Sequence, residues 1–308
     1  MSAAGALRFR VFDLSVLVVA RKFLNFKIDS LARLWHNTRV MSRITEKFAA
    51  LKKQGRAGLV TYITAGDPDL ATTERLIHCL EEAGTDILEL GVPFSDPMAD
   101  GPTIQAASDR ALKNPFSLDA IFSLVERVRR QSQLPILLFG YYNPVFRYGE
   151  ERFVSVAEES GVDGVLVVDL PPEEGEGLGR QCARAGLDMV YCLAPTSTEE
   201  RIKIVTRAGT GFVYYVSVTG VTGARSELSR TIGRDVARIK KQTDLPVAVG
   251  FGISTPDQAR EVARHAEGVV VGSALVKVIE KYGRSPELLD QVREFVSGLK
   301  QGIVSVPK

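Results

Sequence analysis

The sequence predicts a single (β/α)8 barrel of class α/β, on three observations. Downstream of Met41, eight short apolar runs alternate with amphipathic helical stretches. That segment, 41–308, is close in length to the ~250 residues usual for one such barrel. Runs such as Gly-Val-Leu-Val-Val-Asp at 164–169 and Gly-Val-Val-Val-Gly at 268–272 are apolar at successive rather than alternate positions, as parallel strands covered on both faces must be. A doubly wound sheet is the competing arrangement. It calls for a glycine fingerprint after the first strand, and Ala-Gly-Asp-Pro-Asp at 65–69 is not one.

Each element has its local reason. Ser42 or Thr45 caps a helix over 44–53, followed by a strand at 59–64, the turn at 65–69 and a helix over 70–83. The second strand, 86–90, opens into a long loop stiffened by Pro93, Pro97 and Pro102, and helices over 103–112 and 118–131 follow. Strands at 135–139, 164–169, 188–193 and 212–216 alternate with helices over 151–160, 173–185 and 198–207. A Gly-rich loop then reaches a helix over 232–242. Strands at 246–249 and 268–271 lead to helices over 256–264 and 274–282, and a last helix covers 286–301.

Residues 1–40 differ from all of this, with seven Lys or Arg against only Asp13 and Asp29. They are expected to form an N-terminal extension, disordered or an over-long start, with an Arg-rich targeting leader as the alternative. The apolar run Ser-Val-Leu-Val-Val-Ala at 15–20 is too short to span a bilayer. The formal charge is +2 and no basic stripe interleaves with aromatics, so neither nucleic acid nor membrane is an expected partner. Cys79, Cys182 and Cys192 lack CxxC spacing and read as reduced core residues of a cytoplasmic protein.

The chemistry concentrates in 86–105. Glu89 ends an apolar strand with no basic residue near it in sequence, and the loop after it adds Asp96 and Asp100. The plain alternative is that Glu89 reaches solvent and Asp100 caps the helix that follows. Barrels of this kind bind phosphate at the loops after strands seven and eight, and here those loops read Gly-Phe-Gly-Ile-Ser at 250–254 and Gly-Ser-Ala at 272–274. Glycine lets backbone amides approach an anion, and Ser273 adds a hydroxyl at a helix N-terminus. Gly220, Thr222 and Gly223 are placed to close a third side, so the substrate is expected to be a phosphate monoester.

No strand contains a lysine for a Schiff base, and His36, His78 and His265 lie in the extension and in helices, so no metal site is expected. What remains at the barrel mouth are Glu89, Asp100 and Asp169 with Tyr62 and Tyr214, groups suited to acid and base work. Asp169, before the stiff Leu-Pro-Pro segment, reads as a loop anchor rather than a catalytic group.

The runs Leu-Glu-Leu-Gly-Val-Pro-Phe-Ser-Asp-Pro-Met-Ala-Asp-Gly-Pro-Thr-Ile-Gln (88–105), Ala-Gly-Asp-Pro-Asp, Ser-Val-Thr-Gly-Val-Thr-Gly-Ala (217–224), Gly-Phe-Gly-Ile-Ser and Gly-Ser-Ala-Leu-Val-Lys (272–277) together resemble the alpha subunit of tryptophan synthase. The likeness runs from about Met41 to the last helix. It implies retro-aldol cleavage of indole-3-glycerol phosphate to indole and glyceraldehyde 3-phosphate, with no cofactor in this chain. It also implies a beta-subunit partner in an alpha2beta2 complex that carries pyridoxal phosphate and receives the indole. By this resemblance the catalytic glutamate falls on Glu89, the catalytic aspartate on Asp100 and the active-site tyrosine of strand six on Tyr214. The phosphate-binding positions fall on Gly223, Phe251, Gly252, Gly272 and Ser273, and the extension has no counterpart in the family pattern. Competing readings are another phosphate-binding barrel, such as an isomerase or indole-glycerol-phosphate synthase, and an inactive scaffold for a partner.

Overall fold

Strand direction and register build the molecule. In the computed structural model, which describes residues 41–217, 225–250 and 252–306, all strand pairs are parallel. The strands are β1 (Gly58–Thr64), β2 (Ile87–Gly91), β3 (Ile136–Gly140), β4 (Gly164–Val167), β5 (Asp188–Met189), β6 (Tyr191–Leu193), β7 (Val213–Val216), β8 (Val247–Gly250) and β9 (Gly268–Val271). Their order is β5-β4-β3-β2-β1-β9-β8-β7-β6. The expected fifth strand is thus split at Val190. Its first half pairs with β4 and its second with β7, while the Val190 N–H still reaches the Val165 carbonyl at 2.9 Å. One chain segment therefore brings the two edges of the sheet together, and the (β/α)8 barrel closes.

The helices are α1 (Arg43–Lys53), α2 (Leu70–Glu82), α3 (Pro102–Ala111), α4 (Leu118–Arg129), α5 (Tyr142–Tyr148), α6 (Glu150–Ser160), α7 (Glu176–Arg184), α8 (Glu199–Ala208), α9 (Arg225–Lys240), α10 (Pro256–Ala263), α11 (Ser273–Tyr282) and α12 (Leu288–Val304). Two depart from expectation. The sequence reading has no α5; its Pro144 lies in the first turn, where a missing N–H costs no intrahelical bond. The helix expected from Ile232 starts at Arg225, so the far end of the Gly-rich loop is helical. The expectations for 1–40, and for Gly220, Thr222, Gly223 and Phe251, fall outside the described residues.

Alternation along the strands sorts the core into two layers. Side chains facing the helices form the larger one, including Leu59, Ile63, Leu88, Leu90, Val269 and Val271. Those facing inward form a barrel core of Val60, Ile87, Leu137, Leu166, Val190, Phe212, Ala248 and Val270. From below, α1 inserts Ile44, Phe48 and Leu51 into that same core. Burial of each such side chain contributes roughly 1.5–3 kcal/mol, so α1 is a stopper in the N-terminal end of the barrel. Charges fasten the same end: Asp163 accepts from Arg129 (2.6 Å), Arg43 (2.8 Å) and the Ile136 N–H (2.8 Å), and Lys300 of α12 pairs with Asp86. With the lower end filled, the open end is the one where the strands terminate. Among the described residues, no helix is long and apolar enough to cross a membrane.

Candidate active site

Two residues beyond each inward core side chain, every strand or its exit presents one more inward residue. The resulting ring is Tyr62, Glu89, Phe139, Val168, Cys192, Tyr214, Gly250 and Gly272, and all eight line one cavity of about 440 Å3 at the C-terminal end of the barrel. That is the size of a small-molecule site. Its walls are completed by Asp100, Ile104, Ser217, Gly252, Ile253 and Ser273, among others.

Glu89 stands in this ring with 1 % of its surface exposed, and its Oε1 is buried with no hydrogen-bond partner. Burial disfavours its charged form and pushes its pKa up to about 8 from an ordinary 4.5. The neighbouring ring is aromatic: Tyr62 meets Phe139 edge-on at 5.4 Å, and Phe139 lies 6.5 Å from Tyr214. Burial also raises the Tyr62 and Tyr214 hydroxyls far above their usual range and pushes the Cys192 thiol up to about 12, so all three stay protonated. Glu89 is therefore the group of the ring that can exchange a proton near neutral pH.

The two tyrosines depend on glycines. A methyl group at Gly91 would stand 2.1 Å from the Tyr62 hydroxyl, and one at Gly250 would stand 2.8 Å from that of Tyr214. Neither phenol could lie across its neighbouring strand if those positions carried side chains. The Tyr62 hydroxyl ends at Thr64 Oγ1, 3.2 Å away.

Asp100 enters from the β2–α3 loop, half-buried, at the cavity edge. The cap of α3 is Gly101, without a side-chain hydrogen bond, so Asp100 does not cap that helix. Burial raises the pKa of its carboxyl, opposed by a hydrogen bond from the Tyr141 hydroxyl. Asp169, beyond β4, accepts the Tyr142 N–H at 2.7 Å and so fastens the chain after β3.

The glycines and serine expected to receive phosphate line the same cavity. Gly272 caps α11 with no side-chain hydrogen bond, leaving first-turn N–H groups without a side-chain partner beside Ser273 at the cavity wall. Gly252 holds φ +53°, where a side chain is strained, and faces open space. Of the residues singled out from sequence, Tyr62, Glu89, Asp100, Tyr214, Gly252, Gly272 and Ser273 meet around this cavity. Sequence reasoning missed Phe139 and Val168, read Cys192 only as a core residue and took Gly250 only as part of the 250–254 loop, although the two-residue step from the apolar centre of each strand points to all four. It also missed Tyr141, for which local pattern carries no signal.

A family model described as tryptophan synthase alpha chain matches residues 48–304. The tryptophan synthase alpha chain of Citrifermentans bemidjiense is 58 % identical over 264 residues, which is 86 % of this chain and 98 % of that one. That of Geobacter sulfurreducens is 57 % identical over 263 residues, covering 85 % and 99 % respectively. Among solved structures, tryptophan synthase subunit alpha from Legionella pneumophila superposes with a TM-score of 0.80 at 39 % identity, over 87 % of this chain and all of that one. A chain of tryptophan synthase from M. tuberculosis gives a TM-score of 0.77 at 33 % identity, over 85 % and 98 %. On the match of the family model and the identity to these relatives over nearly their whole length, the chain belongs to the tryptophan synthase alpha chain family.

Proposed function

We propose that Glu89, as acid and then base, and Asp100, as the carboxylate that stabilises the developing charge, are the groups with which this lyase of tryptophan biosynthesis cleaves indole-3-glycerol phosphate into indole and glyceraldehyde 3-phosphate. The observation that carries the assignment is the Glu89 carboxyl, enclosed, without a partner for Oε1, and with its pKa lifted to about 8.

The retro-aldol needs a proton at indole C3, which makes an indolenine cation. It also needs a proton removed from the glycerol hydroxyl on the carbon being released. The oxygen's electrons then form the aldehyde, and the electrons of the carbon–carbon bond return to the indole ring. With a pKa near 8, Glu89 is about nine-tenths protonated at pH 7, so it begins as the acid. Having given its proton to C3, it is the base for the hydroxyl, and the cycle ends with Glu89 as it began.

Asp100, ionised, accepts the indole N–H and opposes the positive charge developing on the ring. A preorganised group in that role is worth roughly 3–4 kcal/mol. Tyr62, Phe139 and Tyr214 enclose the indole, and Tyr214 supplies a protonated hydroxyl beside Glu89. Gly252, Gly272 and Ser273 receive the phosphate, joined by Gly223 and Phe251 on the strength of the family resemblance.

We assign the whole reaction to 41–308, with no cofactor in this chain, and place it in the cytoplasm, in keeping with Cys79, Cys182 and Cys192 forming no disulfide. The family implies a tryptophan synthase beta subunit as partner. An alpha2beta2 complex, with pyridoxal phosphate in the beta subunit, is the assembly we propose. The direct test is incubation of the purified chain with indole-3-glycerol phosphate. Indole and glyceraldehyde 3-phosphate should appear in equal amounts without added cofactor. Failure to release indole, alone or with a beta subunit, would overturn the reading.

A further inference from the structure

The loop that carries Asp100 has few ties to the barrel. Among the described residues from Phe94 to Gly101, the hydrogen bonds are local with one exception. Ser95 pairs with Asp96, the Met98 and Asp100 N–H groups reach the Asp96 and Pro97 carbonyls, and Gln105 of α3 donates to the Asp100 carbonyl at 2.9 Å. The exception is Tyr141, the residue after β3. Its hydroxyl accepts the Ala99 N–H at 2.9 Å, and its ring packs on Phe94 at 5.2 Å. Tyr141 is only 5 % exposed, so the ring is a fixed post rather than a surface side chain.

A phenol oxygen that accepts from a backbone N–H keeps one proton to donate, and the Asp100 carboxyl follows immediately after Ala99. The post is itself braced. The Tyr142 N–H donates to Asp169 Oδ1 at 2.7 Å, and the Val168 N–H donates to the Gly140 carbonyl at 2.9 Å, so the turn holding Tyr141 is tied to the exit of β4.

From this chain of contacts we infer that Tyr141 is a positioning residue for Asp100, and that Asp169 acts on the reaction at one remove by fixing the turn that carries Tyr141. The inference rests on the reading of Asp100 as acceptor of the indole N–H. The phenol gives a loop-borne carboxylate a wall-borne reference point. Its donated proton also favours the ionised form of Asp100 against the burial that raises its pKa. Among the described residues, the other titratable groups that interact with Asp100 are Tyr62 and Tyr214, two phenols that are protonated and neutral throughout the working range.

The test compares steady-state pH profiles of the full chain and the variants Tyr141→Phe, Asp100→Asn, their combination, Asp169→Ala and Asp169→Asn. Tyr141→Phe removes one oxygen. It should lower kcat about tenfold or more with a smaller change in KM, and move the acidic limb of the kcat profile to higher pH, because Asp100 loses a donor to its charged form. In the Asp100→Asn background the same change should cost almost nothing further. Asp169→Ala should reproduce the kcat loss, and Asp169→Asn, which keeps an acceptor oxygen, should spare it. That pair leaves the phenol in place and keeps the test decisive even if Tyr141→Phe folds poorly. Unchanged kcat and profile in Tyr141→Phe, or losses that multiply fully with Asp100→Asn, would overturn the inference while leaving Asp100 assigned. Near-normal turnover in Asp100→Asn would instead remove the reading on which the inference stands, and the inference with it.

Discussion

Replacing Glu89 by Gln should stabilise the protein, and by an amount that grows with pH. The fold holds the Glu89 carboxyl at a pKa of about 8, whereas the unfolded chain holds it near 4.5. Between those values the unfolded state has released a proton that the folded state still binds. The unfolded state therefore binds fewer protons, and stability falls as pH rises through this window. Each unit of difference is worth about 1.4 kcal/mol, so the wild type loses roughly 3 kcal/mol by pH 7 and roughly 5 kcal/mol by pH 8.5 through this one group. Gln has nearly the same shape and does not titrate. The stability difference between Glu89→Gln and wild type should thus be smallest near pH 4.5 and rise by those amounts, then level off. Urea unfolding of both proteins at half-unit steps from pH 5 to 9 measures it, since all other titrating groups are common to the pair and cancel. A difference independent of pH would mean that Glu89 ionises near its ordinary value, and the account of it as acid at neutral pH would fall.

Gly272→Val should weaken substrate binding through the phosphate by steric block, and Ser273→Asp by charge repulsion, while affinity for indole alone stays unchanged in calorimetry. Gly91→Ala sets a methyl group 2.1 Å from the Tyr62 hydroxyl and should cost about 1–3 kcal/mol in chemical denaturation, a cost relieved in combination with Tyr62→Ala. Arg110 forms a two-pronged pair with the buried Asp67 at 2.8 and 2.9 Å; Arg110→Ala strands that carboxylate and should cost about 3–5 kcal/mol, read as a fall in urea midpoint. Adding a tryptophan synthase beta subunit should raise indole release with a coupling of about 1–3 kcal/mol, read as a fivefold or larger increase in kcat/KM.

The barrel is legible because parallel strands buried on both faces leave an unbroken apolar signature, and because caps such as Ser42, Ser117 and Thr198 mark where helices start. Glu89 is legible for the opposite reason, as a carboxylate in a run that otherwise wants none. The break of the fifth strand at Val190 has no local cause, since it arises where two sheet edges meet. The short helix α5 hides behind Pro144, which reads as a breaker although it sits where a helix tolerates it. Phe139 and Cys192 look like ordinary strand residues until closure of the barrel fixes which face is inward. Tyr141 is harder still: its partners Phe94 and Ala99 lie more than forty residues upstream, and only the packed structure brings them to its ring.

The most direct test of the central claim is the rate of indole release from indole-3-glycerol phosphate by Glu89→Gln, set beside its affinity for a non-cleavable analogue of that substrate. The account predicts that affinity stays within a few-fold of wild type while release falls by several orders of magnitude, because the cavity keeps its shape and loses the proton that moves. Release within tenfold of wild type at unchanged affinity would mean that the proton travels by another group, and Glu89 would no longer be the acid of this site.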